Sequence, residues 1–168
     1  MVIAIASDHA GYELRRQITE HLRENGHTVL EGGARSSEDA TSYVGPGREV
    51  SSRVLSGEAH RGIALCGTGI GISVICNKHR GIRCALCTDE FMARMSREHN
   101  DANVLAMGAR VLGQGLALSI ADAFLETEFE SGGRHQTRVA EISELEERNF
   151  QDDYPARQRG TVSLDAET

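Results

Sequence analysis

The sequence predicts an α/β fold, a parallel sheet covered by helices on both faces. Short apolar runs alternate with amphipathic segments from residue 2 onward. Glycine-rich or polar turns join each run to the segment that follows it. The 168 residues are 39% hydrophobic and 26% charged, the balance of one globular domain with a sizeable core.

The elements follow in order. "VIAIAS" (2–7) reads as a strand. In "DHAGYELRRQITEHLRENG", Leu14, Ile18 and Leu22 recur every four residues, which predicts an amphipathic helix stopped by Asn25-Gly26. "HTVLEGG" is a second short strand, residues 34–48 a polar Gly/Ser/Pro loop, and Glu49 to Gly57 a helix. Ile63-Ala64-Leu65 is a buried strand, and a helix begins across Ile70 to Ile75. "GIRCALCT" is another strand, followed by the helix "DEFMARMSREHN" with Asp89 near its start. "ANVLAMGA" and "GQGLALSIADAFLET" repeat the pairing. A basic cluster, "GGRHQTR", then precedes a helix whose apolar seam is Val139, Ile142 and Leu145. The domain spans 1–150; residues 151–168 lack periodicity and read as a C-terminal tail that is mobile or hugs a partner.

Composition excludes several functions. The net charge of −7 and pI near 5.5 argue against nucleic acid or an anionic membrane as partner. No stretch reaches the roughly 18 unbroken apolar residues of a membrane span, and "MVIAIASDHAG" lacks a basic leader, so the expected location is cytoplasmic. The cysteines stand at 66, 76, 84 and 87, without the spacing of a disulfide scaffold. "CALC" (84–87) matches C-x-x-C, but on a strand its thiols point to opposite faces, so these are expected to be structural thiols.

The chemistry concentrates at predicted strand ends, where ligands of parallel sheets collect. Asp8-His9, Cys66 with "GTGIG", Thr88-Asp89 and Gly108-Ala109-Arg110 all lie there. "GTGIG" lacks both the dinucleotide spacing and the Gly-Lys-Ser/Thr of a Walker loop. Its glycines instead let backbone amides approach an anion, and a thiol beside a helix N-terminus is biased toward thiolate. Each remaining feature has a structural alternative. Asp8 could cap the next helix, "REHNDAN" with His99, Asn100 and Asp101 could be a solvated helix end, and Arg134, His135 and Arg138 a solvated patch. His9, His99 and His135 lack ligand spacing, so no metal is expected.

"SDHAG", "CGTGIGIS", "NKHRGIRCAL", "SREHNDANVLAMGARVLG" and "GGRHQTRV" together resemble the type B ribose-5-phosphate isomerases of the ribose/galactose isomerase family, which includes allose- and galactose-6-phosphate isomerases. The resemblance runs over about residues 1 to 150. It implies a three-layer Rossmann-like domain forming a homodimer or dimer of dimers with shared active sites, and aldose–ketose isomerisation of a sugar phosphate without a cofactor. Ribose 5-phosphate is the first choice of substrate; allose 6-phosphate, galactose 6-phosphate or a four-carbon ketose phosphate are alternatives. A non-catalytic sugar-phosphate-binding subunit is the rival from another class.

Carried over by residue, the resemblance makes Cys66 the base and His99 the group that opens the furanose ring. Thr68 and Asn100, with the amides of Gly67, Thr68, Gly69, Ile70 and Gly71, would bind the enediolate. Asp8 and Tyr43 would meet sugar hydroxyls, and His9, Arg110, Arg134 and Arg138 the phosphate. In that arrangement Cys66 and Arg110 are expected to reach one pocket from different chains. Where the family carries Asp-Tyr-Pro, this chain has "SYVGPGREV", with Ser42 and Val44 flanking Tyr43, which puts the sugar preference in question.

Overall fold

The computed structural model describes residues 1–150, so the tail expected at 151–168 lies outside the described residues. Five parallel strands form one sheet: β1 (Val2–Ser7), β2 (Thr28–Gly33), β3 (Arg61–Cys66), β4 (Cys84–Leu86) and β5 (Val104–Gly108), in the order β2-β1-β3-β5-β4. The helices are α1 (Tyr12–Glu24), α2 (Val44–Leu55), α3 (Ile70–Cys76), α4 (Glu90–Glu98), α5 (Gln114–Glu126) and α6 (Gly133–Asn149). This is the expected three-layer Rossmann-like arrangement.

Strand alternation divides the core. Ile3, Ile5, Ile63, Leu65, Leu105 and Met107 point to the face covered by α1, α4 and α5, where they meet Leu14, Ile18, Leu22 and Phe124. Ala6, Ala64, Cys66, Val104 and Ala106 point the other way, against Val50 of α2 and Ile72 and Cys76 of α3. Small residues on this second face let α2 and α3 sit close to the sheet. Gly47 of α2 has no room for a side chain, since a Cβ there would lie 2.9 Å from Ile75 Cγ2.

From β1 the chain adds β2 on one side and β3, β5 and β4 on the other, which makes the carboxyl ends of β1 and β3 the topological switch point. Ser7 pairs with Leu65, and Cys66 with Gly108, so the segments leaving β1, β3 and β5 emerge side by side.

Three boundaries differ from the sequence reading. α2 starts at Val44, because Pro46 falls in its first turn, where a missing N–H leaves no helix bond unmade. β4 keeps only Cys84–Leu86 of "GIRCALCT". Its approach is tied by side chains instead: Asn77 accepts from the Cys84 N–H at 2.8 Å and donates to the Cys84 carbonyl at 2.9 Å. α6 takes in the basic cluster, and His135 is its one buried residue. The expected seam is not covered, with Ile142 and Leu145 about half exposed; α6 meets the other described residues through His135 in its first turn and through Glu146 and Glu147, which face the Gly81 N–H and Arg80.

The four cysteines are free thiols. Burial pushes Cys87 up to about 11, and a hydrogen bond with Cys76, then burial, pushes Cys84 up as well. Both fit the structural role expected of the C-x-x-C pair. Among the described residues, no helix is long and apolar enough to cross a membrane.

Candidate active site

Cys66 ends β3 and is buried. The chain turns immediately above it, and Gly69 caps α3 in the left-handed region at φ 77°. A side chain at Gly69 would be strained by that φ and would also meet Leu86 Cδ1 at 2.5 Å. The turn directs the Gly69 N–H at Cys66 Sγ, 3.2 Å away. The Ile70 N–H goes to Thr68 Oγ1 at 3.3 Å. The N–H groups of Gly67 and Thr68 donate to no acceptor among the described residues. The amide loop is therefore divided, with one donor on the sulfur, one on Thr68 and two without an acceptor among the described residues.

Other segments converge on this loop. Asp8 follows β1, and its N–H donates to the Leu65 carbonyl at 3.2 Å. Its carboxylate caps the short 3-10 turn His9–Gly11 through the Gly11 N–H at 3.0 Å, so capping and placement at the switch point coexist. His9 Nδ1 lies 3.3 Å from the Thr41 carbonyl, tying the polar loop to the site. Tyr43 lies over Gly71, where a Cβ would come within 2.8 Å of the ring's Cζ. Ser42, standing where the family pattern has an acid, accepts from the Val44 N–H at 3.3 Å and so helps start α2.

Arg110 corrects an expectation. Its N–H donates to the Gly67 carbonyl at 2.9 Å, and its side chain passes over Gly67 of the same chain, with Cδ 3.5 Å from where a Cβ would be. The cause is register: Cys66 pairs with Gly108, so the residues that follow each are neighbours. Arg110 and the loop above Cys66 are thus neighbours within one chain.

A second cluster forms around His99, at the end of α4. The next residues, Asn100 and Asp101, turn away from the helix, with Asp101 at φ 45°. Arg97, 1% exposed at its side chain, holds Asp101 Oδ1 at 2.8 Å, while Arg83 holds Oδ2 at 2.7 Å and donates to the Asn100 carbonyl at 3.1 Å. The His99 ring stacks on His135 at 4.0 Å and 2°. Arg134 Nε donates to His135 Nε2 at 3.2 Å, and Arg138 follows one turn later on α6. No hydrogen bond or ion pair joins this cluster to the Cys66 loop among the described residues.

His99, Glu130 and His135 bring ligand atoms within 4.8 Å of one another, yet they suit a metal poorly. Parallel rings direct their lone pairs side by side instead of at one point, and Arg134 already uses that of His135 Nε2. Two guanidiniums nearby also oppose a cation. The sequence places His135 in "GGRHQTR" and Asp101 in "REHNDAN" but assigns neither a role in the site. The Gly-Gly that opens α6 directly before Arg-His was the available signal for the first; a non-glycine at positive φ carries almost none.

Fold and comparisons together define an α/β enzyme, and its candidate site, a thiol under backbone amides, lies at the switch point of the sheet. The ribose/galactose isomerase model matches residues 3–142. Ribose-5-phosphate isomerase B of Escherichia coli (strain K12) is 47% identical over 146 residues, covering 87% of this chain and 97% of that protein. The galactose-6-phosphate isomerase subunit LacB of Clostridium acetobutylicum is 41% identical over 145 residues, 86% of this chain and 83% of that one. The solved structure of Clostridium thermocellum ribose-5-phosphate isomerase B superposes with a TM-score of 0.85 at 52% identity, covering 88% of this chain and 99% of that one. The chain belongs to the ribose/galactose isomerase family, and it is an isomerase.

Proposed function

We infer that this isomerase interconverts an aldose phosphate and its ketose, with ribose 5-phosphate and ribulose 5-phosphate as the pair, through an enediolate formed by Cys66. The observation that carries the reading is the divided loop: the Gly69 N–H on Cys66 Sγ, and the Gly67 and Thr68 N–H groups open beside it. Enolisation needs a base for the carbon-bound proton and a stabiliser for the oxyanion that develops. Cys66 takes the proton from C2 and returns it to C1, while the proton of the C2 hydroxyl passes to the oxygen on C1. The electron pair moves onto the carbonyl oxygen, where preorganised amides act best because they need no reorganisation. The reaction is redox-neutral overall and requires no cofactor.

His99 opens the furanose ring, Asp8 and Tyr43 meet the hydroxyls, and Asn100 joins Thr68 at the enediolate. Arg110 and His9 meet the phosphate from one chain, Arg134 and Arg138 from another. Guanidinium forks suit phosphate oxygens geometrically. The division of the site into two unjoined clusters, with an uncovered α6, supports a homodimer or dimer of dimers in which each pocket draws on both chains.

The likeness to the Escherichia coli protein favours ribose 5-phosphate. A second reading, a six- or four-carbon sugar phosphate, is favoured by Ser42, which stands beside Tyr43 where the family pattern has an acid and accepts from the Val44 N–H. Turnover of a panel of four- to six-carbon sugar phosphates in deuterium oxide decides both. Ribose 5-phosphate should turn over fastest and acquire deuterium at C2. A faster alternative would overturn the sugar, and binding without exchange would overturn the enzyme's mechanism in favour of a binding subunit.

A further inference from the structure

His135 is buried, yet the chemistry inferred above gives it no task. Its surroundings define its protonation. Arg134 Nε is a donor only, so His135 Nε2 must present a lone pair and the ring proton must sit on Nδ1. One face of that ring carries His99 in a parallel stack at 4.0 Å. The same imidazole therefore touches a phosphate-side arginine through an edge and the ring-opening histidine through a face.

We propose that His135 is a positioning residue that aims both: a neutral Nδ1–H imidazole whose Nε2 orients Arg134 and whose face seats His99. The proposal rests on the inferred roles of His99 and Arg134. The groups facing His135 are His99, Arg134, Glu130 and Arg138. Glu130, with Oε2 3.7 Å from Nε2, favours the charged ring. Burial, His99 and the two arginines oppose it, and the net direction is toward neutral. A protonated ring would turn an N–H toward Arg134 and lose that hydrogen bond. Met and Leu could fill the space, but only an aromatic ring with an acceptor at that edge meets both demands.

Two substitutions separate the demands in the full-length protein. His135→Phe keeps the ring and removes the acceptor; its KM for the sugar phosphate should rise about 2- to 10-fold, the worth of one hydrogen bond, with kcat nearly unchanged. His135→Asn keeps an acceptor and removes the ring; kcat on the cyclic sugar should fall about 2- to 10-fold, the worth of an aromatic pair, while turnover of an open-chain analogue is spared. Wild-type KM in His135→Phe, or equal losses on both sugar forms in His135→Asn, would overturn the proposal. Long-range proton–nitrogen spectra at pH 8 provide a readout apart from activity. His9 and His79, whose Nδ1 atoms face carbonyl oxygens, should show the Nδ1–H form in every variant, and a further Nδ1–H histidine should vanish in His135→Phe; an Nε2–H form or an imidazolium for His135 overturns the assignment. His99→Asn is the control for the underlying reading. If it slows both sugar forms equally, the ring-opening role falls, and the seating of His99 is then decided by its ring resonances. Those should move in His135→Asn and hold in His135→Phe; unchanged resonances in both would refute the seating.

Discussion

The rings of His99 and His135 lie face to face, 4.0 Å apart and 2° from parallel. The end of α4 and the first turn of α6 are thereby joined through two imidazoles. The Glu130 N–H supports the junction by donating to the Glu98 carbonyl at 3.1 Å.

That junction should be sensitive to acid. Burial first, then His99 and Arg134, hold His135 below the ordinary imidazole value of 6.5. The unfolded chain then binds this proton more readily than the native one, so the contribution is complete above about pH 6.5 and is lost as pH falls below it. Hydrogen exchange across residues 133–139, corrected for intrinsic rates, should quicken in acid and do so less in His135→Phe. An equal pH response in both proteins would contradict this.

Cys66→Ala should lower kcat by about 10²- to 10⁴-fold, the usual worth of a general base, and leave phosphate-ester binding largely intact. Deuterium exchange at C2 should vanish with turnover. Retention of more than a tenth of the wild-type kcat would remove Cys66 from the role of base.

Gly71→Ala should act through Tyr43, whose ring atoms lie 2.8–3.1 Å from the new Cβ. That ring is partly exposed and can swing aside, so the stability change should stay below about 1 kcal/mol, less than overpacking a closed core. Specificity among sugar phosphates should shift as it does in Tyr43→Ala. The double variant should lose nothing further; additive losses would show that the two residues act independently.

Asp101→Ala should destabilise the protein by about 3–5 kcal/mol, because the buried Arg97 would lose its carboxylate partner. Asp101→Asn should cost less, since asparagine tolerates positive φ and can still accept from one arginine. Denaturant midpoints measure both, and equal losses would show that charge, and not backbone conformation, decides at this position.

Mixing inactive Cys66→Ala and Arg134→Ala proteins after subunit exchange should restore part of the activity, because one pocket of a mixed dimer would be intact. Cys66→Ala with Arg110→Ala should restore none, since Arg110 lies over the Cys66 loop of its own chain. Recovery with Arg110→Ala and failure with Arg134→Ala would reverse the assignment of residues to chains. Full activity of a monomer would end the shared-pocket reading.

Much of this molecule was legible as sequence. Leu14, Ile18 and Leu22 define a helix face by spacing alone, and the alternation of apolar and amphipathic segments specifies a parallel sheet. Cys66 followed by "GTGIG" locates the amide loop because few other residues permit that turn. Reading failed where a local signal was overruled. Gly45, Pro46 and Gly47 suggest a loop, but all lie within α2, since proline suits a first turn and Gly47 is packed against Ile75. "GIRCALCT" suggests a long strand, but side chains of Asn77 and Asn103 take backbone groups that a longer ladder would have used.

By itself, then, the sequence determined the fold class, the strand ends and the residue types gathered there, because these follow from periodicity and local turn chemistry. Only the tertiary structure decided which of those residues meet. The pairing of Cys66 with Gly108 places Arg110 over its own chain's loop, and the meeting of the end of α4 with the first turn of α6 gives His99 its seat on His135. Strand register and helix docking are long-range agreements between distant segments, and no local pattern encodes them.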